Sequence, residues 1–257
     1  MVHLYSYVTD IQSAEMIKYA SNAFLATKIS FINGISNLCE KVGADVLEVA
    51  QGMGLDKRIG AYFLNAGIGY GGSCFPKDTH AFVQVSGSLA HDFRFLESVI
   101  EVNNNQQLFL IEKVKKRFVI IVGKKRIALL GVSFKPNTDD LRDAPSLIMI
   151  QELINLGADI VLYDPKAIQN MKNIFGETIQ YSECIDESIR GASAAFIMTE
   201  WEDIRTYPLE NYVQLMREPI LFDGRNCYTN EDVKKQGIDY YSVGRESIYK
   251  RDFSVIR

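Results

Sequence analysis

Residues 67–80 read Gly67-Ile68-Gly69-Tyr70-Gly71-Gly72-Ser73-Cys74-Phe75-Pro76-Lys77-Asp78-Thr79-His80. Gly67, Gly69 and Gly72 fit the spacing Gly-x-Gly-x-x-Gly. That pattern marks a dinucleotide-binding turn only between a strand and a helix, with an acidic residue following. No β-rich run precedes this one, and no acidic residue follows at the right distance. The glycines therefore serve the close approach of a ligand or another backbone. A helix start follows, with Ser73 as the expected N-cap and Pro76 tolerated in the first turn. Cys74 then lies at the positive end of that helix, where a thiolate is stabilised. Lys77 adds positive charge nearby. Asp78, four residues on, shares a helix face with Cys74. A nucleophilic sulfur beside a carboxylate that handles a proton or a water is a catalytic arrangement.

Upstream, Ala14, Ile17, Ala20, Phe24, Leu25, Ile29, Ile32, Ile35 and Leu38 recur at helical steps and predict a helix from Ile11 to about Lys41. About 30 residues of helix span about 45 Å, the length of a domain spine or a subunit interface. Lys18 and Asn22 share one face of it, with Glu15 a turn before. Spacing alone reads them as a solvated face with an ordinary Glu–Lys pair. A second helix is expected over Val42–Met53, then a loop with Asp56 and Arg58, then an irregular segment from Tyr62 to Gly71. Downstream, Asp92 to Phe118 reads as one long helix, interrupted by the polar run Asn103-Asn104-Asn105-Gln106-Gln107 and ending in Lys113, Lys115, Lys116 and Arg117.

The pattern changes near Gly123. Arg126 to Phe134 is a continuous apolar run typical of a buried parallel strand. A polar loop to Asp143 leads to a helix over about Ser146–Leu156. Further strands are expected at Asp159–Tyr163, Ala194–Met198 and Ile220–Phe222, with helices between. Such alternation predicts βαβ units and a doubly wound sheet, whose ligands bind at the carboxyl ends of the strands. Lys135 and Arg225 fall at such ends.

Hydrophobic residues make up 47% of the 257 and charged residues 23%, the balance of a globular protein. A formal net charge of −4 argues against nucleic acid as the main partner. No apolar run approaches the ~20 residues of a membrane span, so no membrane partner is expected. Cys39, Cys74, Cys184 and Cys227 form no Cys-x-x-Cys pair, which predicts a reducing, cytoplasmic setting and no metal site.

The string Gly69-Tyr-Gly-Gly-Ser-Cys-Phe-Pro-Lys-Asp78 resembles the catalytic-cysteine motif of the UDP-glucose 6-dehydrogenases, within the UDP-glucose/GDP-mannose dehydrogenase family. Three further stretches resemble the same family: Lys18-Tyr-Ala-Ser-Asn22, the segment Phe134 to Arg142, and Asp223-Gly-Arg225. The resemblance implies that NAD is the cofactor and UDP-glucose the substrate. It implies catalytic roles for Cys74, Lys18, Asn22 and Asp78. It implies substrate contacts from Arg58, Phe63, Leu64, Asn65, Tyr70, Gly71, Phe134, Lys135 and Arg225, with Arg58 reaching a neighbouring subunit. Lys77 and Arg142 are the implied cofactor contacts. Tyr163-Asp164-Pro165 also resembles the family, although Asp164 reads equally as a strand-end turn residue.

The expected architecture is α/β. Residues 1–10 are the remnant of an N-terminal NAD-binding domain that the sequence lacks. An all-helical dimerisation domain over 11–122 carries the cysteine, and a Rossmann-like UDP-binding domain covers 123–257. On this reading the chain is truncated and inactive alone, and it forms a homodimer through its long helix. Two alternatives stay open: a non-catalytic, dimerising nucleotide-sugar-binding module, and a dehydrogenase of another nucleotide sugar such as GDP-mannose or a UDP-N-acetylhexosamine.

Overall fold

The computed structural model describes residues 7–117 and 124–250. Part of the expected N-terminal remnant and the expected domain boundary at 122/123 lie outside the described residues. Five helices fill the first part: α1 (Ile11–Val42), α2 (Val46–Gly54), α3 (Phe75–Ser88), α4 (Arg94–Gln107) and α5 (Phe109–Arg117). Asp10 caps α1 by accepting from the Ser13 N–H at 2.8 Å, and Gly43 ends it in the left-handed conformation. Apart from Ile32, the buried face of α1 is small or polar, with Ala23, Ala26, Ser30, Asn33, Ser36 and Cys39 inside. Small residues let α3 and α4 come close. Ile17, Phe24, Phe31 and Leu38, at seven-residue steps, remain exposed. The single long helix expected over Asp92–Phe118 is two helices, broken at Leu108. Its expected end at Phe118 lies outside the described residues.

The second part is a six-stranded, all-parallel sheet in the order β3-β2-β1-β4-β5-β6. The strands are β1 (Arg126–Leu130), β2 (Asp159–Tyr163), β3 (Gln180–Tyr181), β4 (Ala194–Ile197), β5 (Ile220–Asp223) and β6 (Asp239–Tyr241). Helices α6 (Pro145–Asn155), α7 (Ile168–Phe175), α8 (Ile185–Ile189), α9 (Glu202–Arg205), α10 (Leu209–Leu215) and α11 (Asn230–Gln236) connect them. This is the doubly wound order, and it places a topological switch point between β1 and β4. Strand β1 stops short of the expected Phe134. At Gly131, φ is +77°, and an added Cβ would lie 2.8 Å from Thr199. The chain leaves the sheet there and frees Phe134 and Lys135 for the loop.

Both sheet faces are covered. Ile127, Leu129, Phe196, Phe222 and Tyr241 share one core with Ile32, Val46, Leu64, Ala66 and Ile68 of the helical part. Ala128, Leu130, Ile197, Leu221 and Tyr240 point into the opposite core. Phe196, Phe222 and Tyr241 are register partners on adjacent strands. Their rings stack with centroids 4.7 and 4.8 Å apart. Each such aromatic contact adds about 0.5–1.5 kcal/mol beyond the area it buries. One continuous core thus ties the helices to the sheet. Among the described residues no helix is long and apolar enough to cross a membrane.

Candidate active site

Helix α3 begins at Phe75, so Cys74 rather than Ser73 occupies the N-cap position. No side chain caps this end, and the Ser73 hydroxyl lies 3.8 Å from the Cys74 sulfur. Cys74 is exposed. Its carbonyl accepts from the Asp78 N–H at 2.8 Å, closing the first turn and holding the two residues on one face. Asp78 is only 2% exposed, yet its carboxylate is satisfied. Asn22 Nδ2 donates to Asp78 Oδ2 at 2.6 Å, and Lys18 Nζ sits 3.3 Å from Oδ1 and 3.2 Å from Oδ2. The Lys18 side chain is 58% exposed, so its ammonium bridges the buried carboxylate and the open side. The Lys18/Asn22 face is therefore not the solvated Glu–Lys pair that spacing alone suggested.

The loop leading to Cys74 is wedged between helices and sheet. On one side, Asn33 Oδ1 accepts from the Gly67 N–H at 2.9 Å, and Gln106 Nε2 donates to the Gly67 carbonyl at 2.8 Å. Asn103 Oδ1 accepts from the Tyr70 N–H at 2.8 Å, and Asn103 Nδ2 donates to the Tyr70 carbonyl at 3.2 Å. On the other side, the Ile68 N–H donates to the Gly224 carbonyl at 3.2 Å, and the Gly72 N–H to the Arg142 carbonyl at 2.8 Å. Glycine is required where the backbones meet. A Cβ at Gly71 would fall 2.2 Å from the Asp143 carbonyl oxygen, and one at Gly72 would fall 2.7 Å from the Phe134 ring. The loop's Tyr70 ring meets Phe75 edge-on at 5.7 Å, and Phe63 meets Phe75 at 6.2 Å. Burial pushes the Tyr70 phenol up to about 12.

The sheet brings cations to the same loop. Arg225, 15% exposed, donates from Nε to the Met198 carbonyl at 2.8 Å and from Nη1 to the Gly69 carbonyl at 3.4 Å. Glu200 lies 3.3 Å from Arg225 Nε. The buried Asp223 carboxylate accepts from the N–H groups of Arg225 and Cys227 and from the Tyr240 hydroxyl, which fixes the turn after β5. Burial pushes the Asp223 carboxyl above its ordinary range. Lys135 is exposed, with Nζ 5.2 Å from the Phe134 ring centroid. Arg142 is 67% exposed and forks onto Asp140 at 2.7 and 2.9 Å. That guanidinium holds the Asp140 carboxyl below its ordinary range. An open cleft of about 480 Å³ lies at the switch point, lined by Pro136, Asn137, Pro165, Glu200, Trp201 and Arg205.

Cys74, Asp78, Lys18, Asn22, Tyr70, Gly71, Phe134 and Arg225 thus fall on one connected set of contacts, and Arg142 joins it through its carbonyl. Lys77 and Asn65 are exposed beside it, whereas the Leu64 side chain is buried in the core. Arg58 is not drawn in: it is 89% exposed and forks onto Asp56 at 2.6 Å. Sequence reading missed the carboxamides Asn33, Asn103 and Gln106, and it left Asp164 undecided. Asp164 is structural. Its buried carboxylate accepts from the N–H groups of Val132, Ser133, Lys166 and Ala167, the Ser133 hydroxyl and the Trp201 indole.

Residues 12–105 match the model of the UDP-glucose/GDP-mannose dehydrogenase family, central domain, and residues 128–230 match that of the family's UDP binding domain. The chain belongs to this family. Among curated members, UDP-glucose 6-dehydrogenase YwqF of Bacillus subtilis is 58% identical over 94% of this chain and 55% of its own length. UDP-glucose 6-dehydrogenase of Rhizobium meliloti is 44% identical over 92% of this chain and 54% of its own. A UDP-glucose dehydrogenase structure from Pyrobaculum islandicum superposes with a TM-score of 0.82 at 31% identity, covering 93% of this chain and 52% of that one. The chain spans about half the length of the UDP-glucose/GDP-mannose dehydrogenase family members that it matches.

Proposed function

We propose that this chain is the sugar-nucleotide-binding and thiol-bearing part of a UDP-glucose 6-dehydrogenase, which oxidises the C6 alcohol of UDP-glucose to the carboxylate of UDP-glucuronate. One observation carries the reading. The loop that delivers Cys74 to the Asp78–Lys18–Asn22 cluster is hydrogen-bonded to Arg225 at the end of a parallel strand. The names of the relatives support UDP-glucose over other nucleotide sugars. The chain divides into a central helical part, residues 11–122, and a UDP-binding part, residues 123–257. The setting is the cytoplasm.

Arg225 and Lys135 are the cations for the diphosphate, for which charge-assisted contacts to phosphate oxygens are strong. Phe63, Leu64, Asn65, Tyr70, Gly71 and Phe134 shape the sugar side. The Cys74 thiolate adds to the C6 aldehyde, forming a C–S bond and placing the carbonyl electron pair on oxygen as a thiohemiacetal. Lys18 stabilises that oxyanion, as a fixed cation does at developing negative charge. After the second oxidation a thioester remains. Water adds to its carbonyl, Asp78 with Asn22 orients that water and takes its proton, and the C–S bond breaks to return the Cys74 sulfur. NAD, when bound, would accept one hydride in each of the two oxidations, so two molecules are consumed per sugar. Arg142 and Lys77, exposed around Cys74, suit an anionic cofactor at that edge.

The test uses this chain as it stands. At ten times its Kd, UDP-glucose is expected to slow alkylation of Cys74 by iodoacetamide about tenfold, the factor set by the unoccupied fraction. Cys184, exposed at the start of α8, keeps its rate. Equal rates at Cys74 with and without saturating UDP-glucose would overturn the assignment.

The partner is a second copy, packed along the exposed Ile17, Phe24, Phe31 and Leu38 stripe of α1, with Arg58 turned toward the neighbour's site. Seven-residue spacing of apolar side chains is a helix-pairing seam. Light scattering is expected to give twice the 29.0 kDa chain mass, and Phe31→Asp to give the single mass. A monomeric native chain refutes the seam.

A further inference from the structure

Tyr70 is flanked by Gly69 on one side and by Gly71 and Gly72 on the other. Gly69 and Gly72 have φ of +93° and +83°. Glycine backbone has little intrinsic stiffness, so the covalent chain alone does not fix where Cys74 sits. The rigidity must come from non-covalent contacts. Among these is a two-point grip in which the Asn103 carboxamide takes both the N–H and the C=O of Tyr70, as a neighbouring strand would. Asn103 is 4% exposed, so neither bond competes freely with water. At Gly69 an added Cβ would lie 2.9 Å from Asn103 Oδ1, which shows how closely backbone and carboxamide meet. One helical turn further along α4, Gln106 holds the Gly67 carbonyl and is itself held by Asn37 Nδ2 at 3.1 Å.

We infer that Asn103 is a positioning residue for Cys74: by gripping the Tyr70 peptide it sets the sulfur against the sugar, while the diphosphate contacts are made elsewhere. This rests on the assignment of Cys74 above. It separates two properties that a purely structural residue would change together, namely affinity for the sugar nucleotide and the placement of the thiol.

Asn103→Asp tests it. The change is nearly isosteric and keeps the acceptor for the Tyr70 N–H. It replaces the donor with an oxygen that faces the Tyr70 carbonyl. Backbone exchange in a peptide covering residues 66–73 is expected to quicken about tenfold, while the β1 peptide is unchanged. The Kd for UDP-glucose by calorimetry is expected to stay within about threefold. With ligand at ten times that variant's own Kd, protection of Cys74 from iodoacetamide is expected to fall from about tenfold to about twofold. Asn104→Asp, an exposed neighbour with the same charge change, retains full protection. Should Asn103→Asp fail to fold, Gln106→Glu removes the donor at Gly67 and is read the same way.

Native-level protection in the loosened variant overturns the inference. So does a loss of affinity above about tenfold with faster exchange throughout the chain, since that is a general folding defect. An unprotected Cys74 in the unaltered chain is a different result: it removes the assignment of the thiol itself.

Discussion

Replacing Cys74 by serine is expected to slow UDP-glucuronate formation by about three orders of magnitude, ~4 kcal/mol at the transition state, in a full-length enzyme carrying this chain. The reason lies in the attacking atom. A thiol is partly ionised near neutral pH, whereas a serine hydroxyl needs an adjacent base to become nucleophilic. Asp78, on the same helix face, is engaged by Asn22 and Lys18 and is assigned to the water that later cleaves the thioester, not to the attacking residue. Affinity for UDP-glucose should change little, because the proposed diphosphate cations, Arg225 and Lys135, are untouched. On the proposed mechanism the first oxidation does not need the sulfur, so up to one NADH per site is expected without release of the acid. Timed NADH absorbance beside chromatographic separation of the sugar nucleotides reads both. Acid formation within about tenfold of the unaltered rate would remove Cys74 from the mechanism.

The second large effect concerns stability. Asp164→Asn is expected to cost about 3 kcal/mol or more, because an amide NH2 would face a nest of N–H donors, each costly to leave unpaired when buried. The two Asp164 oxygens accept from four backbone N–H groups, one hydroxyl and one indole, joining the loops after β1, β2 and β4. For a chain of this size such a loss lowers Tm by roughly 6–12 °C. Trp201 is the single tryptophan and donates to Asp164 at 3.2 Å. Its fluorescence in a urea titration therefore reports on this junction directly. An unchanged urea midpoint would show that water replaces these bonds at no cost.

The sequence disclosed those parts of the site that lie on regular elements. Cys74 with Asp78 and Lys18 with Asn22 are four-residue spacings on helices, and helical geometry alone puts each pair on one face. Strands β1, β2, β4 and β5 were legible as continuous apolar runs, because parallel strands are buried on both faces. Strands β3 and β6 were not. Gln180-Tyr181 and Asp239-Tyr-Tyr241 are too short and too polar to carry a pattern. The break at Leu108 reads in the sequence only as a polar interruption within one helix, because Leu108, Ile111 and Val114 resume helical steps after Asn103–Gln107. The Asn103 grip was hidden for a different reason. Its partner lies 33 residues away, and a carboxamide inside a polar run looks like a surface residue until the fold buries it. Asp164 was ambiguous because a strand-end aspartate is common, and only its set of donors distinguishes it.

The glycine loop is bonded to the helices through Asn33, Asn103 and Gln106, and to the sheet through Gly224, Arg225 and Arg142. On the proposed function, the loop that carries the sulfur thus also touches Arg225, one of the two proposed diphosphate cations. A reaction that consumes two molecules of NAD must swap the spent one for a fresh one midway. On the proposed mechanism, a half-oxidised sugar anchored at both ends, by a C–S bond and by its phosphates, stays in register throughout that swap. The reactive aldehyde never has to diffuse free.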